Sequence, residues 1–196
     1  MENRRKVLWI HGFAGCPDNM HVKEMRKRYP EFDWYSIEVD HHAKASMEKI
    51  NAYLRANDVC LVAGTSLGGY YAMCAEFEGP KLVVNPVTDP LRDLRQFVGR
   101  CCYKPGRPDG QTEFDFTEEM LREFGELQHG DLHRVLCHYT AHDQVLGEDI
   151  KKDYEQMFDH RELISEDILP QHFMTFKYVR AMKPALYALI EHNSTK

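Results

Sequence analysis

Val62-Ala63-Gly64-Thr65-Ser66-Leu67-Gly68-Gly69 joins two apolar runs of different character. Val59 to Ala63 before it reads as a buried strand, and the residues after Ser66 read as a helix that continues to the stop signal Gly79-Pro80. The pentad Gly64 to Gly68 has the pattern G-x-S-x-G. A serine lifted clear of a strand-to-helix turn sits in strained backbone with close neighbours, and a glycine two residues to either side removes the colliding Cβ atoms. Ser66 is therefore the candidate nucleophile. The pentad alone also fits an incidental serine in a glycine-rich turn, but its place between strand and helix is the context that the motif requires. A phosphate-binding loop is excluded, because the stretch has neither G-x-x-x-x-G-K nor G-x-G-x-x-G spacing.

Outward from this turn, short β-branched or aromatic runs recur at Lys6 to Ile10, Asp33 to Ile37, Lys81 to Asn85, Arg134 to Tyr139 and Arg161 to Ile164. They are mostly apolar on both faces, as buried parallel strands are. Between them, Met47, Ile50 and Leu54 share one helical face, and Ile150, Tyr154, Met157 and Phe158 form another stripe. The expected fold is α/β: about six mainly parallel strands with helices on both faces, ligands gathering at the carboxyl ends of the strands. Residues 91–130 are too long for one crossover helix and are expected to add a small cap. Asp115 with Glu118 reads as a capping box for a helix through Phe124. Phe97, Tyr103, Phe114 and Phe116 are its candidate substrate-binding rings, or else its own core. Phe173 to His192 reads as helix, with Phe176, Val179 and Met182 on one face and Pro184 either kinking it or opening a second segment.

A serine hydroxyl needs a base, and a developing oxyanion needs donors. After the first strand, His11-Gly12-Phe13-Ala14-Gly15 is a glycine-bearing turn, and the amides of Phe13 and Leu67 are the candidate oxyanion donors. His11 itself invites a base or metal reading, but is expected to pin the loop by hydrogen bonds. Asp143 follows the fifth strand and His172 the sixth, so the chain order is Ser66, Asp143, His172, the order used by hydrolases of this architecture. His142 is weighed as a rival base and read as a rim residue, since loop neighbours seldom aim side chains at each other. Asp89, Asp131 and Asp149 lie further from strand ends and read as caps or surface charges.

Taken together, HGF at the first strand, GTSLGGYYA at the turn, Asn85-Pro86, HDQV around Asp143 and the H-x-x-x-F of His172 to Phe176 resemble a small α/β-hydrolase, and within that superfamily the compact bacterial esterases of the YqiA type. The likeness spans nearly the whole chain. It departs at Leu-Pro-Gln-His, where many relatives place glycine beside the histidine. The resemblance implies Ser66 as nucleophile, His172 as base and then acid, Asp143 as its orienting carboxylate, and the amides of Phe13 and Leu67 as the oxyanion hole. The expected activity is hydrolysis of a small-molecule carboxylic ester or thioester through an acyl-enzyme, with no cofactor and no metal. The same residues suit a peptidase or a C–C hydrolase, and the same scaffold suits a non-catalytic ligand- or partner-binding protein.

Composition narrows the setting. At 196 residues the chain is one domain's worth, and 25 basic against 31 acidic residues give a net charge of −6. Without a basic patch, nucleic acid is not an expected partner. No apolar stretch approaches the ~20 residues that span a bilayer, so a cytoplasmic location is expected. Cys16, Cys60, Cys74, Cys101, Cys102 and Cys137 then read as thiols, with no C-x-x-C pair to hold zinc. In a strand His138 points away from Cys137, so the two do not share a metal, and His41-His42 lacks further ligands. Vicinal Cys101-Cys102 reads as packed or loop thiols rather than a redox pair. Oligomeric state is not encoded in any of these patterns.

Overall fold

The computed structural model describes residues 4–191; the outermost residues of the unit expected over 1–196, His192 among them, lie outside it. Six strands form one parallel sheet: β1 (Arg5–Ile10), β2 (Phe32–Ile37), β3 (Val59–Thr65), β4 (Lys81–Val84), β7 (Val135–Tyr139) and β8 (His160–Leu163), in the spatial order β2-β1-β3-β4-β7-β8. All five pairings are parallel. Each strand falls within two residues of its expected bounds. A separate antiparallel pair, β5 (Gly99–Cys102) and β6 (Glu113–Phe116), belongs to the segment between β4 and β7.

Alternation along the strands feeds two apolar layers. Leu8, Ile10, Val62 and Val83 face α2 (Ala43–Ala56), α3 (Leu67–Cys74), α5 (Glu118–Gly125) and α6 (Ile150–Met157). Val7, Trp9, Ala63 and Val84 face α1 (Met20–Arg28), α7 (Phe176–Ala181) and α8 (Lys183–Glu191). Each such aliphatic side chain contributes about 1.5–3 kcal/mol when fully buried. The edge strand β8 differs from the others: its four residues are all exposed, and a short charged edge resists pairing with another chain. Strand order reverses between β1 and β3, so the loops after these two strands diverge around a crevice.

Several helix ends depart from the pattern expected of them. The helix after Ser66 stops at Cys74, not at Gly79-Pro80. The buried Lys81 ammonium approaches the carbonyls of Met73 (3.4 Å) and Ala75 (3.1 Å), and the Gly130 amide donates to Met73 (3.0 Å), so the last turn is ended by tertiary partners. Helix α5 is capped by Thr117, whose hydroxyl accepts from the Met120 amide; Asp115 is part of β6 and forms no capping box with Glu118. At the carboxyl end Thr175 caps α7 three residues later than expected, and Pro184 opens the second segment, α8. Val179 and Met182 are buried there, whereas Phe176 is exposed and packs on His21. Among the described residues no helix is long and apolar enough to cross a membrane.

Candidate active site

Ser66 has φ 54° and ψ −124°, a left-handed conformation that a non-glycine residue holds only under constraint. The constraint is the packing of α3 against β1 and β3. A Cβ on Gly64 would lie 2.3 Å from the Gly68 carbonyl oxygen, and one on Gly68 would lie 2.2 Å from that of Ile10. The Ser66 amide donates to Val84 (3.0 Å), and its carbonyl accepts from Gly69, Tyr70 and Val87. Leu67 is the first residue of α3, so its N–H is among the amides that a helix leaves without an intrahelical partner.

Ser66 Oγ lies 2.9 Å from His172 Nε2, and His172 Nδ1 lies 2.7 Å from Asp143 Oδ2. His172 and Asp143 are both buried. Asp143 Oδ1 accepts from the amides of Val145 (3.0 Å) and Leu146 (2.8 Å), so the carboxylate cannot turn. With Nδ1–H donating to the carboxylate, Nε2 presents its lone pair to the serine hydroxyl. The histidine loop is fastened from three sides. Asn85 Nδ2 donates to the His172 carbonyl (2.9 Å) while its Oδ1 accepts from the Thr140 amide (2.8 Å), Thr140 Oγ1 donates to Leu169 (2.8 Å), and the His172 amide donates to Gln144 Oε1 (3.2 Å). Asn85 and Gln144 entered the sequence reading only as parts of motifs. The available clue for Asn85 was an amide at a buried strand end, whose polar atoms must find partners.

The other titratable residues lie apart from this chain of hydrogen bonds. His11 is buried; the Val39 amide donates to its Nε2 (3.3 Å), which leaves Nδ1–H to donate to Gly12 (2.9 Å). Burial lowers its pKa to about 4, so it is neutral near pH 7. His142 Nε2 lies 3.2 Å from Glu166 Oε1 on an exposed rim. Cys137 packs on one face of the sheet, while His138 bonds Tyr178 on the other (2.7 Å). Asp89 caps the short helix α4 (Pro90–Asp93), Asp131 accepts from the His133 amide, and Asp149 pairs with Lys152. His41 bonds the Tyr103 hydroxyl. Among the described residues no group of three His, Cys, Asp or Glu side chains could hold a metal ion.

A largely apolar cleft of about 990 Å³ opens above Ser66 and His172, and Phe13, Leu146 and Phe173 contribute to its walls. Of the four expected substrate-binding rings only Phe97 lines it. Tyr103, Phe114 and Phe116 do not. They are drawn away by better aromatic partners: Tyr103 stacks on Phe114 (4.3 Å), Phe114 stacks on His41 (4.4 Å), and Phe116 meets Phe13 (5.1 Å) and Phe124 (6.2 Å). A residue that the sequence reading passed over, Lys104, lines the cleft mouth with its ammonium 4.8 Å from the Phe173 ring centre.

A family model described as an uncharacterised protein family, UPF0227, matches residues 6–188. The chain belongs to that family. No curated protein sequence matches the chain. The UPF0227 chain is similar in structure to Est1E from Butyrivibrio proteoclasticus with ferulic acid bound, at a TM-score of 0.68 and 16% identity over 97% of this chain and 91% of that one. It is also similar to the esterase domain of a Rhodothermus marinus protein (TM-score 0.61, 16% identity, 95% and 87% covered). A third neighbour is MGS-MChE2, an α/β-hydrolase from a sediment metagenome of the Mar Chica lagoon, Morocco (TM-score 0.61, 12% identity, 98% and 93% covered). At these identities the likeness establishes the fold alone: the UPF0227 chain has the α/β-hydrolase fold.

Proposed function

We propose that the protein is a serine hydrolase cleaving carboxylic esters or thioesters through an acyl-enzyme. The observation that carries this reading is the continuous hydrogen-bonded chain from Ser66 through His172 to Asp143, set at a strained strand-to-helix turn beneath an apolar cleft. His172 Nε2 takes the Ser66 proton as Oγ attacks the acyl carbon, and Asp143 holds the imidazole in the tautomer that can accept it. The resulting oxyanion rests on the amides of Phe13 and Leu67. Two neighbouring features support this: Leu67 opens α3, and Gly12, next to Phe13, lies so close to Ser66 that an added Cβ would sit 3.2 Å from the serine Cβ. As the tetrahedral intermediate collapses, His172 gives the proton to the leaving alcohol or thiol. Water then attacks the acyl carbon as it loses a proton to His172, and when this second intermediate collapses His172 returns the proton to Ser66 Oγ and the acid is released. The nucleophile, the base and the oxyanion donors all belong to the chain. The six cysteines, all free, suit a reducing, cytoplasmic setting.

A fluorophosphonate probe tests the reading without knowledge of the natural substrate. It should label the protein at Ser66, and Ser66→Ala should fold normally, escape labelling and lose on the order of 10⁶ in kcat on p-nitrophenyl esters. An adduct mapped to another serine, or unchanged turnover by the variant, would refute the assignment.

A further inference from the structure

The loop after β1 is held at both ends by its own surroundings and in the middle by the segment between β4 and β7. At its start His11 is bonded to Gly12 and Val39. At its end Asn19 Nδ2 donates to the Cys16 carbonyl (3.0 Å). Between these anchors run Gly12, Phe13, Ala14, Gly15 and Cys16, four of them small, with one internal main-chain bond from Gly15 to Gly12 (3.0 Å). Ala14 stands at φ 53°, so this stretch does not relax into a common conformation.

The ring of Phe13 is the one large handle on the stretch, and the inserted segment grips it. Phe97 stacks against it with centroids 5.1 Å apart at 26°, Phe116 meets it edge-on at 5.1 Å, and Phe114 at 5.7 Å. Two contacts to the backbone flank the ring: the Lys104 amide donates to the Ala14 carbonyl (2.8 Å), and Cys16 Sγ donates to that of Pro105 (3.3 Å). Phe114 and Phe116 do not line the cleft, so their route to the reacting centre runs through Phe13.

We propose that Phe114 and Phe116 are positioning residues that hold the Phe13 amide in place as an oxyanion donor. This rests on the reading of Phe13 N–H as part of the oxyanion hole. The physical reason is tolerance: a preorganised donor must stay within about 0.5 Å of its working position, and a displacement near 1 Å can cost about 10²-fold in rate. The grip selects for stabilisation of the transition state rather than for binding, so kcat falls and KM stays when it is loosened.

The test compares Phe114→Leu, Phe116→Leu and Phe13→Ala on p-nitrophenyl acetate and hexanoate, well below the melting temperature of each variant. Both Leu variants should lose roughly 10- to 100-fold in kcat, equally on the two esters, with KM little changed. In the Phe13→Ala background, itself impaired, adding either Leu substitution should change kcat by less than about 2-fold, because the grip then has nothing to hold. Lower melting temperature with kcat intact would reduce the trio to core packing and overturn the proposal. So would a loss that depends on acyl length, or full additivity with Phe13→Ala. If Phe116→Leu does not fold, the partly buried Phe114 site decides alone. Unmodified protein that lacks Ser66-dependent labelling would defeat the hydrolase reading, whereas labelled protein with fast Leu variants defeats only this one.

Discussion

The turn at Ser66 and the segment between β4 and β7 meet across one cleft and keep their shapes by opposite means. The turn is a backbone object: a Cβ added to Gly64 or Gly68 would lie 2.2–2.3 Å from a main-chain oxygen. The inserted segment is a side-chain object. Around its Gly99 and Gly110 nothing lies within 4 Å of an added Cβ, and beyond the β5–β6 pairing its form comes from the stacked rings and from Arg107, whose guanidinium lies 4.0 Å over Tyr103 and pairs with Glu38 (2.5 Å) and Asp109 (2.6 Å). A backbone object tolerates almost no substitution, while a side-chain object degrades by degrees.

The sharpest break falls on the turn and its partners. His172→Ala should cost on the order of 10⁶ in kcat while the rim residue His142, changed to Ala, keeps most of the rate; steady-state kinetics on one ester separates them. Asp143→Asn should lose up to ~10⁴, since the amide favours the wrong tautomer. Next comes stability. Gly68→Ala must push Ile10 and α3 apart and should fail to fold or lose more than about 3 kcal/mol, whereas Gly99→Ala faces only its φ of 129° and should lose about 1–2 kcal/mol. Urea melts of the two variants measure the contrast.

Acid acts on the scaffold through two buried histidines. Burial lowers the pKa of both His11 and His138 from 6.5 to about 4. Between these values the unfolded chain binds protons that the folded chain refuses, so the stability they contribute is complete above pH 6.5 and is lost as pH falls toward 4, by about 3 kcal/mol apiece. Melts at pH 7, 5.5 and 4.5 should show the fall, and His138→Phe should roughly halve it, leaving the part due to His11. The last effect is on selectivity: Phe97→Ala, on the cleft wall, should shift the ratio of kcat/KM for short and medium acyl esters by a graded ~1–3 kcal/mol per methylene accommodated.

The same contrast explains what the sequence made legible. Strand bounds, the turn and the order Ser66, Asp143, His172 are written locally, in runs, glycine spacing and strand ends, and the described geometry brings those three side chains together. Features decided by distant partners were not legible. Helix α3 ends at Cys74 because Lys81 and Gly130 take the carbonyls of Met73 and Ala75, and Phe116 turns from the cleft because Phe13 and Phe124 are nearer. No window of sequence contains those pairs.

Asn85 bears on how long such a site lasts. It is fully buried at φ 44°, and both ends of its amide are engaged, joining the loop after β7 to the loop of His172. Asparagine ages chemically when the nitrogen of the next residue attacks its side-chain carbonyl, closing a succinimide that opens to aspartate or isoaspartate. The next residue here is Pro86, whose nitrogen carries no hydrogen, so that ring cannot form. Deamidation would set a carboxylate against the carbonyls of Gln171 and His172 that now receive an N–H. The joint that orients the histidine is therefore protected from the ordinary clock of protein ageing by the identity of its neighbour.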